Sequence, residues 1–117
     1  MKHPGKILPE VLRMAHTKPA TVRYPYERTE IPADFRGKIA FNAQNCIGCK
    51  ICMRDCPARA IEISKPGEEK IFECTFYLDR CIYCAQCVES CPRKALSITP
   101  QFELATYKRD SLRDHQK

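Results

Sequence analysis

Cys46, Cys49, Cys52 and Cys56 follow one another at C-x2-C-x2-C-x3-C spacing and run directly into Pro57. Cys81, Cys84, Cys87, Cys91 and Pro92 repeat the pattern 35 residues on, so that the two runs use eight of the nine cysteines in this 117-residue chain. Thiolates at this spacing bind iron. A 4Fe–4S cubane has four iron corners, each taking one thiolate, and three cysteines within seven residues wrap a single loop around three of them. The fourth corner faces away from that loop, so its ligand must come from elsewhere. Zinc fits less well, because a structural zinc site pairs one C-x2-4-C with a second, distant pair and has no use for a third cysteine two residues further on. A disulfide framework would call for a secreted chain and an even cysteine count, and nine is odd.

The paired runs resemble those of the two-cluster bacterial ferredoxins. In that motif class the last cysteine of each run ligates the other cluster. The resemblance therefore implies one 4Fe–4S cluster on Cys46, Cys49, Cys52 and Cys91, and a second on Cys81, Cys84, Cys87 and Cys56. Pro57 and Pro92 then fix the backbone after each crossing cysteine, where the chain is expected to turn. Cys74 lies outside both runs, in the alternating segment Lys70 to Leu78, and is expected to be a small buried apolar residue rather than a ligand. No catalytic side chain is nominated. His3, His16 and His115 all lie in the flanks and are expected at the surface.

The elements that must carry these cysteines come from an internal repeat. Cys46 to Ile63 aligned on Cys81 to Ile98 gives eight identities in eighteen positions. Each half is predicted to run as a short strand, a cysteine loop, a brief helix and a second strand. Ile39-Ala40-Phe41 and Phe76-Tyr77-Leu78 are the leading strands, and Ala60 to Ile63 and Ala95 to Ile98 the exit strands. Lys65-Pro66-Gly67-Glu68-Glu69 is a turn by its Pro-Gly pair. Ile47 and Ile82 sit beside the first cysteine of each run, where apolar cover helps set a reduction potential. Tyr83 stands where the first half has Gly48, and packing is the simplest role for it. The fold class expected is α+β, a two-cluster ferredoxin-like domain with a pseudo-twofold repeat between extended N- and C-terminal docking arms.

Such a centre, about Ile39 to Ile98, is too small for a large core and needs its clusters as staples. The arms differ in character. Ile7, Leu8, Val11, Leu12 and Ala15 share one helical face, with Lys6, Glu10 and Arg13 off it; Pro4 suits the start of that helix and Pro19 its end. Tyr24 to Pro32 reads as a proline-stiffened strap. Phe102, Leu104 and Tyr107 need cover in the tail, and exposed apolar arms on a small domain suggest docking. The expected divisions are 1–37 for the N-terminal arm, 38–99 for the cluster domain and 100–117 for the tail.

The formal charge is +6. Two oxidised clusters would add four charges and eight ionised thiols remove eight, leaving a holoprotein near +2. Five basic residues against the single acid Glu10 lie between Met1 and Arg23. No nucleic-acid fold motif or aromatic interleaving accompanies them, so nucleic acid is not an expected partner. No signal peptide or membrane span is visible in this sequence, and reduced thiols point to the cytosol.

The flanks narrow the resemblance. Tyr24-Pro25 with Glu27, Phe35-Arg36-Gly37, Thr99-Pro100-Gln101-Phe102-Glu103 and Tyr107-Lys108-Arg109 are similar to the two-cluster subunit of respiratory complex I and of the related energy-converting, membrane-bound NiFe hydrogenases. Only eight residues, Lys38 to Asn45, separate Gly37 from Cys46, a compactness closer to the hydrogenase-type version. The resemblance implies a non-catalytic electron-transfer subunit. It would be peripheral, on the cytoplasmic side of the membrane, and would touch the lipid indirectly if at all. Its partners would be hydrogenase large- and small-type subunits and a membrane-arm subunit. Electrons would pass from a soluble donor such as ferredoxin to the subunit holding the terminal cluster. The alternatives are a free two-cluster ferredoxin, which would tend to be shorter and acidic, and an iron–sulfur subunit of a soluble oxidoreductase, which would leave the flank motifs without a reason.

Overall fold

The computed structural model describes residues 5–67 and 71–117. Pro4 and His3, with Glu68, Glu69 and Lys70 of the expected turn and strand, lie outside them. The chain divides into two units, residues 1–30 and 31–117. In the first, α1 spans Leu8–Ala15 with Pro9 in its opening turn, where a missing N–H costs nothing. Its residues are all exposed, with Arg13 paired to Glu10 at 2.8 Å.

The second unit runs β1 (Ile39–Phe41), α2 (Ile51–Asp55), β2 (Ile61–Ser64), β3 (Glu73–Tyr77), α3 (Gln86–Glu89), β4 (Leu96–Ile98), a 3-10 turn over Arg109–Leu112 and β5 (Arg113–Gln116). The architecture is α+β, with helices and antiparallel sheets. The predicted order of strand, loop, helix and strand is present in both halves. In the second half the leading strand begins three residues earlier than Phe76 and ends at Tyr77, because β3 is held in register along β2.

Neither half makes a sheet of its own. β1 pairs with β4 from the other half, Ile39 opposite Ile98 and Phe41 opposite Leu96. β2 pairs with β3, Ile61 opposite Phe76 and Ile63 opposite Cys74. Alternation then decides the faces: Ile61 and Ile63 point inward while Glu62 and Ser64 point out, and Cys74 and Phe76 are the inward pair on β3. Cys74 and Phe76 are the largest side chains with essentially no exposure, and Ile39 and Leu96 join them in one core cluster. The expected buried place of Cys74 is thus observed.

β5 was not legible in the sequence, since Arg113-Asp114-His115-Gln116 has no apolar alternation. It adds to β3, Cys74 opposite Gln116 and Phe76 opposite Asp114. Its last residue also ties one sheet to the other. The Phe41 N–H donates to Gln116 Oε1 at 2.7 Å, and Gln116 Nε2 donates to the Ile39 carbonyl at 3.0 Å. Lys38 and Asp114 add an ion pair at 2.9 Å, with both side chains mostly buried. Gln116 therefore satisfies two backbone groups of β1 that β4 leaves free.

Replacing Gln116 by Ala should destabilise the holoprotein by about 1–3 kcal/mol, through two lost hydrogen bonds and two backbone groups left unpaired. Thermal unfolding would show this as a drop of about 4–8 °C per kcal/mol. An unchanged melting temperature would mean that β5 is not what holds the two sheets together.

Candidate iron–sulfur site

Each cysteine loop is built by the same backbone devices at positions 35 residues apart. Gly48 and Tyr83 have positive φ (70° and 53°), as do Lys50 and Ala85 (59° and 63°) immediately before α2 and α3. This left-handed pair curls the loop so that successive N–H groups point inward toward sulfur. The N–H of Gly48 reaches Cys46 Sγ at 3.4 Å, and that of Tyr83 reaches Cys81 Sγ at 3.4 Å. After each proline turn the N–H of Ala60 reaches Cys56 Sγ and that of Ala95 reaches Cys91 Sγ, both at 3.3 Å. Arg59 and Lys94, each at φ 48°, close those turns by donating to the carbonyls of Cys56 and Cys91 at 3.2 Å. Each loop thus directs backbone N–H donors at its first and last sulfur in the same way.

At position 48 a Cβ would meet the ring of Phe72, which would have to move aside for any larger residue. At position 83 a tyrosine takes the same conformation. Its side chain lies along a cleft lined by Arg36, Gly37, Gln101 and Phe102, which gives the expected packing role a concrete place.

The short helices carry the third cysteine of each run inward. Cys52 on α2 and Cys87 on α3 are buried. Cys49 and Cys84 are exposed, and the other four are half-buried. Two small cavities result. One is lined by Cys46, Cys49, Cys52 and Cys91, the other by Cys56, Cys81, Cys84 and Cys87. In each, three sulfurs come from one run and the fourth from the other, and the remaining lining is largely apolar, with Phe41, Ile63 and Leu96 around the first and Ile39, Ile61 and Phe76 around the second. Ile47 and Ile82 line these cavities as expected, yet they are 56 % and 63 % exposed, so they form the outer lip rather than a closed cover.

Burial pushes the thiol of Cys52 up to about 11, with Cys49, Cys46 and Cys91 adding to the effect. Cys87 is pushed up to about 12, again by burial first, and Cys81 is raised by burial with Cys56 and Cys84 nearby. Packing ionised thiols into these cavities is thus unfavourable unless positive charge neutralises them. Among the described residues no three His, Cys, Asp or Glu side chains converge as ligands of a single metal ion. Four thiols spread around a small apolar chamber suit a cubane, whose irons supply the charge and whose width sets the sulfurs apart.

These features define a 4Fe–4S protein of the ferredoxin type. Residues 45–95 match the family described as "4Fe-4S dicluster domain", and the cofactors of this domain are two 4Fe–4S clusters. Beyond the domain, the chain is related over nearly its whole length to subunits of larger assemblies. It is 39% identical over 121 residues to NAD(P)H-quinone oxidoreductase subunit I of Synechococcus sp. (strain JA-3-3Ab), covering 98% of this chain and 57% of that protein. Over 49 residues it is 43% identical to the chloroplastic subunit I of Agrostis stolonifera, covering 40% of this chain and 27% of that protein. Among solved structures it resembles a chain of the membrane-bound sulfane sulfur reductase, an archaeal respiratory membrane complex, with a TM-score of 0.67 and 30% identity, covering 96% of this chain and 62% of that one. The chain therefore spans less than two thirds of the length of these relatives. Among the described residues no helix is long and apolar enough to cross a membrane.

Two of the flank motifs that suggested this kinship, Phe35-Arg36-Gly37 and Thr99 to Glu103, meet in the fold. Gly37 donates to the Thr99 carbonyl at 3.1 Å and Lys38 to the Gln101 carbonyl at 2.8 Å. The rings of Phe35 and Phe102 meet edge to face at 5.9 Å. A Cβ on Gly37 would lie 2.5 Å from the carbonyl oxygens of both Thr99 and Gln101, so only glycine fits there.

With so small an apolar core, removing iron under reducing conditions should leave the chain without cooperative structure. Far-UV circular dichroism in a urea series is the measurement. A sigmoidal transition retained by the iron-free protein would show that the polypeptide core suffices alone.

Proposed function

We propose that the chain is a peripheral electron-transfer subunit of a membrane-bound oxidoreductase of the complex I type, a group to which quinone-, sulfur- and proton-reducing machines would all belong. The observation that carries this reading is the pairing of two four-thiol cavities, each completed from the opposite run, within a chain alignable along 98% of its length with a respiratory-complex subunit. Cys46, Cys49, Cys52 and Cys91 hold one cluster, and Cys81, Cys84, Cys87 and Cys56 the other. The bound clusters supply one-electron redox chemistry at potentials set by their surroundings.

What the polypeptide does is hold and separate. The inward amides of Gly48, Tyr83, Ala60 and Ala95 stabilise thiolate charge. The apolar walls limit water around the inner sulfurs. The exposed ligands Cys49 and Cys84, with Ile47 and Ile82 beside them, leave each cluster one edge near the surface, where electrons enter on one side and leave on the other. Equivalent backbone geometry at paired positions supports a pseudo-twofold relation between the halves.

The division into an N-terminal docking arm (1–37), a cluster domain (38–99) and a tail (100–117) follows the same reading, with the end of the tail returning as β5 to the sheet of the cluster domain. Support for docking comes from the exposed apolar residues of the arms: Ile7, Leu8, Val11 and Leu12 on and beside α1, and Tyr107 in the tail. The complex would sit at the cytoplasmic face of the membrane. It would pass electrons from a soluble donor, ferredoxin in the hydrogenase-type case, to a neighbouring subunit that holds the terminal cluster.

Two experiments test this. Tagged full-length protein should co-purify from detergent-solubilised membranes as part of a large assembly, and deleting residues 1–21 should release it. Recovery only as a free soluble monomer would sink the subunit reading. Separately, Cys56→Ala should abolish or convert the cluster on Cys81, Cys84 and Cys87, as read by electron paramagnetic resonance of the reduced protein. Loss of the cluster on Cys46, Cys49 and Cys52 instead would show that the ligands do not cross.

A further inference from the structure

We propose that Arg36 raises the reduction potential of one cluster alone, the one held by Cys81, Cys84, Cys87 and Cys56. The inference rests on that ligand set and goes beyond it. Arg36 Nη1 donates to the backbone carbonyl of Cys84 at 3.3 Å, 48 residues away in sequence. The guanidinium is therefore anchored on the ligand loop itself, and it also lines a polar cleft with Cys84, Asp34 and Glu89.

Its position is enforced by its neighbours. Phe35 on one side is pinned against Phe102, and Gly37 on the other is clamped between the carbonyls of Thr99 and Gln101. A fixed cation beside a cluster favours whichever oxidation state carries more negative charge, and that is the reduced one. It also takes up the carbonyl dipole of Cys84, whose negative end would act in the opposite direction.

The effect is one-sided. Cys84 has Cys49 as its counterpart in the first run, but Arg36 lies ahead of the repeat and has no counterpart within it. Two clusters with equivalent loops are thereby made unequal, and electrons at equilibrium are drawn toward the Cys84 edge. Because Arg36 is solvent-exposed, water and salt reduce the influence to a several-fold effect.

The test is a potentiometric titration of full-length holoprotein, followed by electron paramagnetic resonance. Cys84→Ser and Cys49→Ser mark which signal belongs to which cluster. Arg36→Gln keeps a hydrogen-bond donor but removes the charge. It should lower the potential of the Cys84 cluster, so that its share of electrons relative to the other cluster falls about three- to tenfold, tenfold being 59 mV for one electron. Arg36→Lys keeps the charge and should retain most of the original value. Equal shifts in both clusters, or none, overturn the proposal, as does a lysine variant that behaves like the glutamine one, for then the side chain only holds its own segment against the Cys84 loop. Unsubstituted protein lacking two clusters would overturn the ligand assignment as well, which separates the two failures.

Discussion

Neither half of this domain can finish its own sulfur chamber. Three thiols of a run sit on one tight loop, and the geometry of that loop leaves the fourth place to a cysteine of the other run, 25 to 45 residues distant in sequence. The rest of the second unit follows from that constraint. The loops must face each other, so the strands that lead in and out are drawn into cross-half pairs, β1 with β4 and β2 with β3. The buried thiols of Cys52 and Cys87 belong to the same core cluster as Ile61, Phe76 and Leu96. Cluster binding and hydrophobic packing are consequently one cooperative event, and helices of five and four residues, far too short to persist alone, are held by it.

Around this centre the flanking segments act as fasteners. The segment Gly37-Lys38 before the first run and the segment Thr99 to Gln101 after β4 are hydrogen-bonded to each other. The last four-residue strand then laces the two sheets through a single glutamine side chain. Asp79, held below the usual carboxylate range by Arg109 at 2.7 Å, ties the 3-10 turn near the tail to the segment leading into the second loop. The flanks thereby fasten the two halves of the second unit to each other. They also let residues outside the repeat, Arg36 among them, bear on one half and not the other.

The cysteines that line the two chambers, their grouping by run, the internal repeat, α1, the four strands around the loops and the buried place of Cys74 were all legible in the sequence. Each is written in local spacing or in alternation along a few residues. β5 was not legible, because Arg113 to Gln116 pairs through its backbone and one amide side chain and carries no apolar signal. The start of β3 was misplaced by three residues for a related reason, since strand ends are set by the partner strand. Phe35-Arg36-Gly37 and the Thr99 to Glu103 segment were recognisable as motifs, but nothing in either showed that they touch.

Sequence alone, then, determined the chemistry: thiolate ligands at cubane spacing, twice over, require iron wherever the chain places them. Only the tertiary structure decided which sulfurs share a chamber, which ligands face solvent, and which cation lies beside the second loop. The physical reason is range. Cysteine spacing is a property of a few consecutive residues, whereas a shared chamber and a fastened flank depend on segments 25 to 77 residues apart meeting in space.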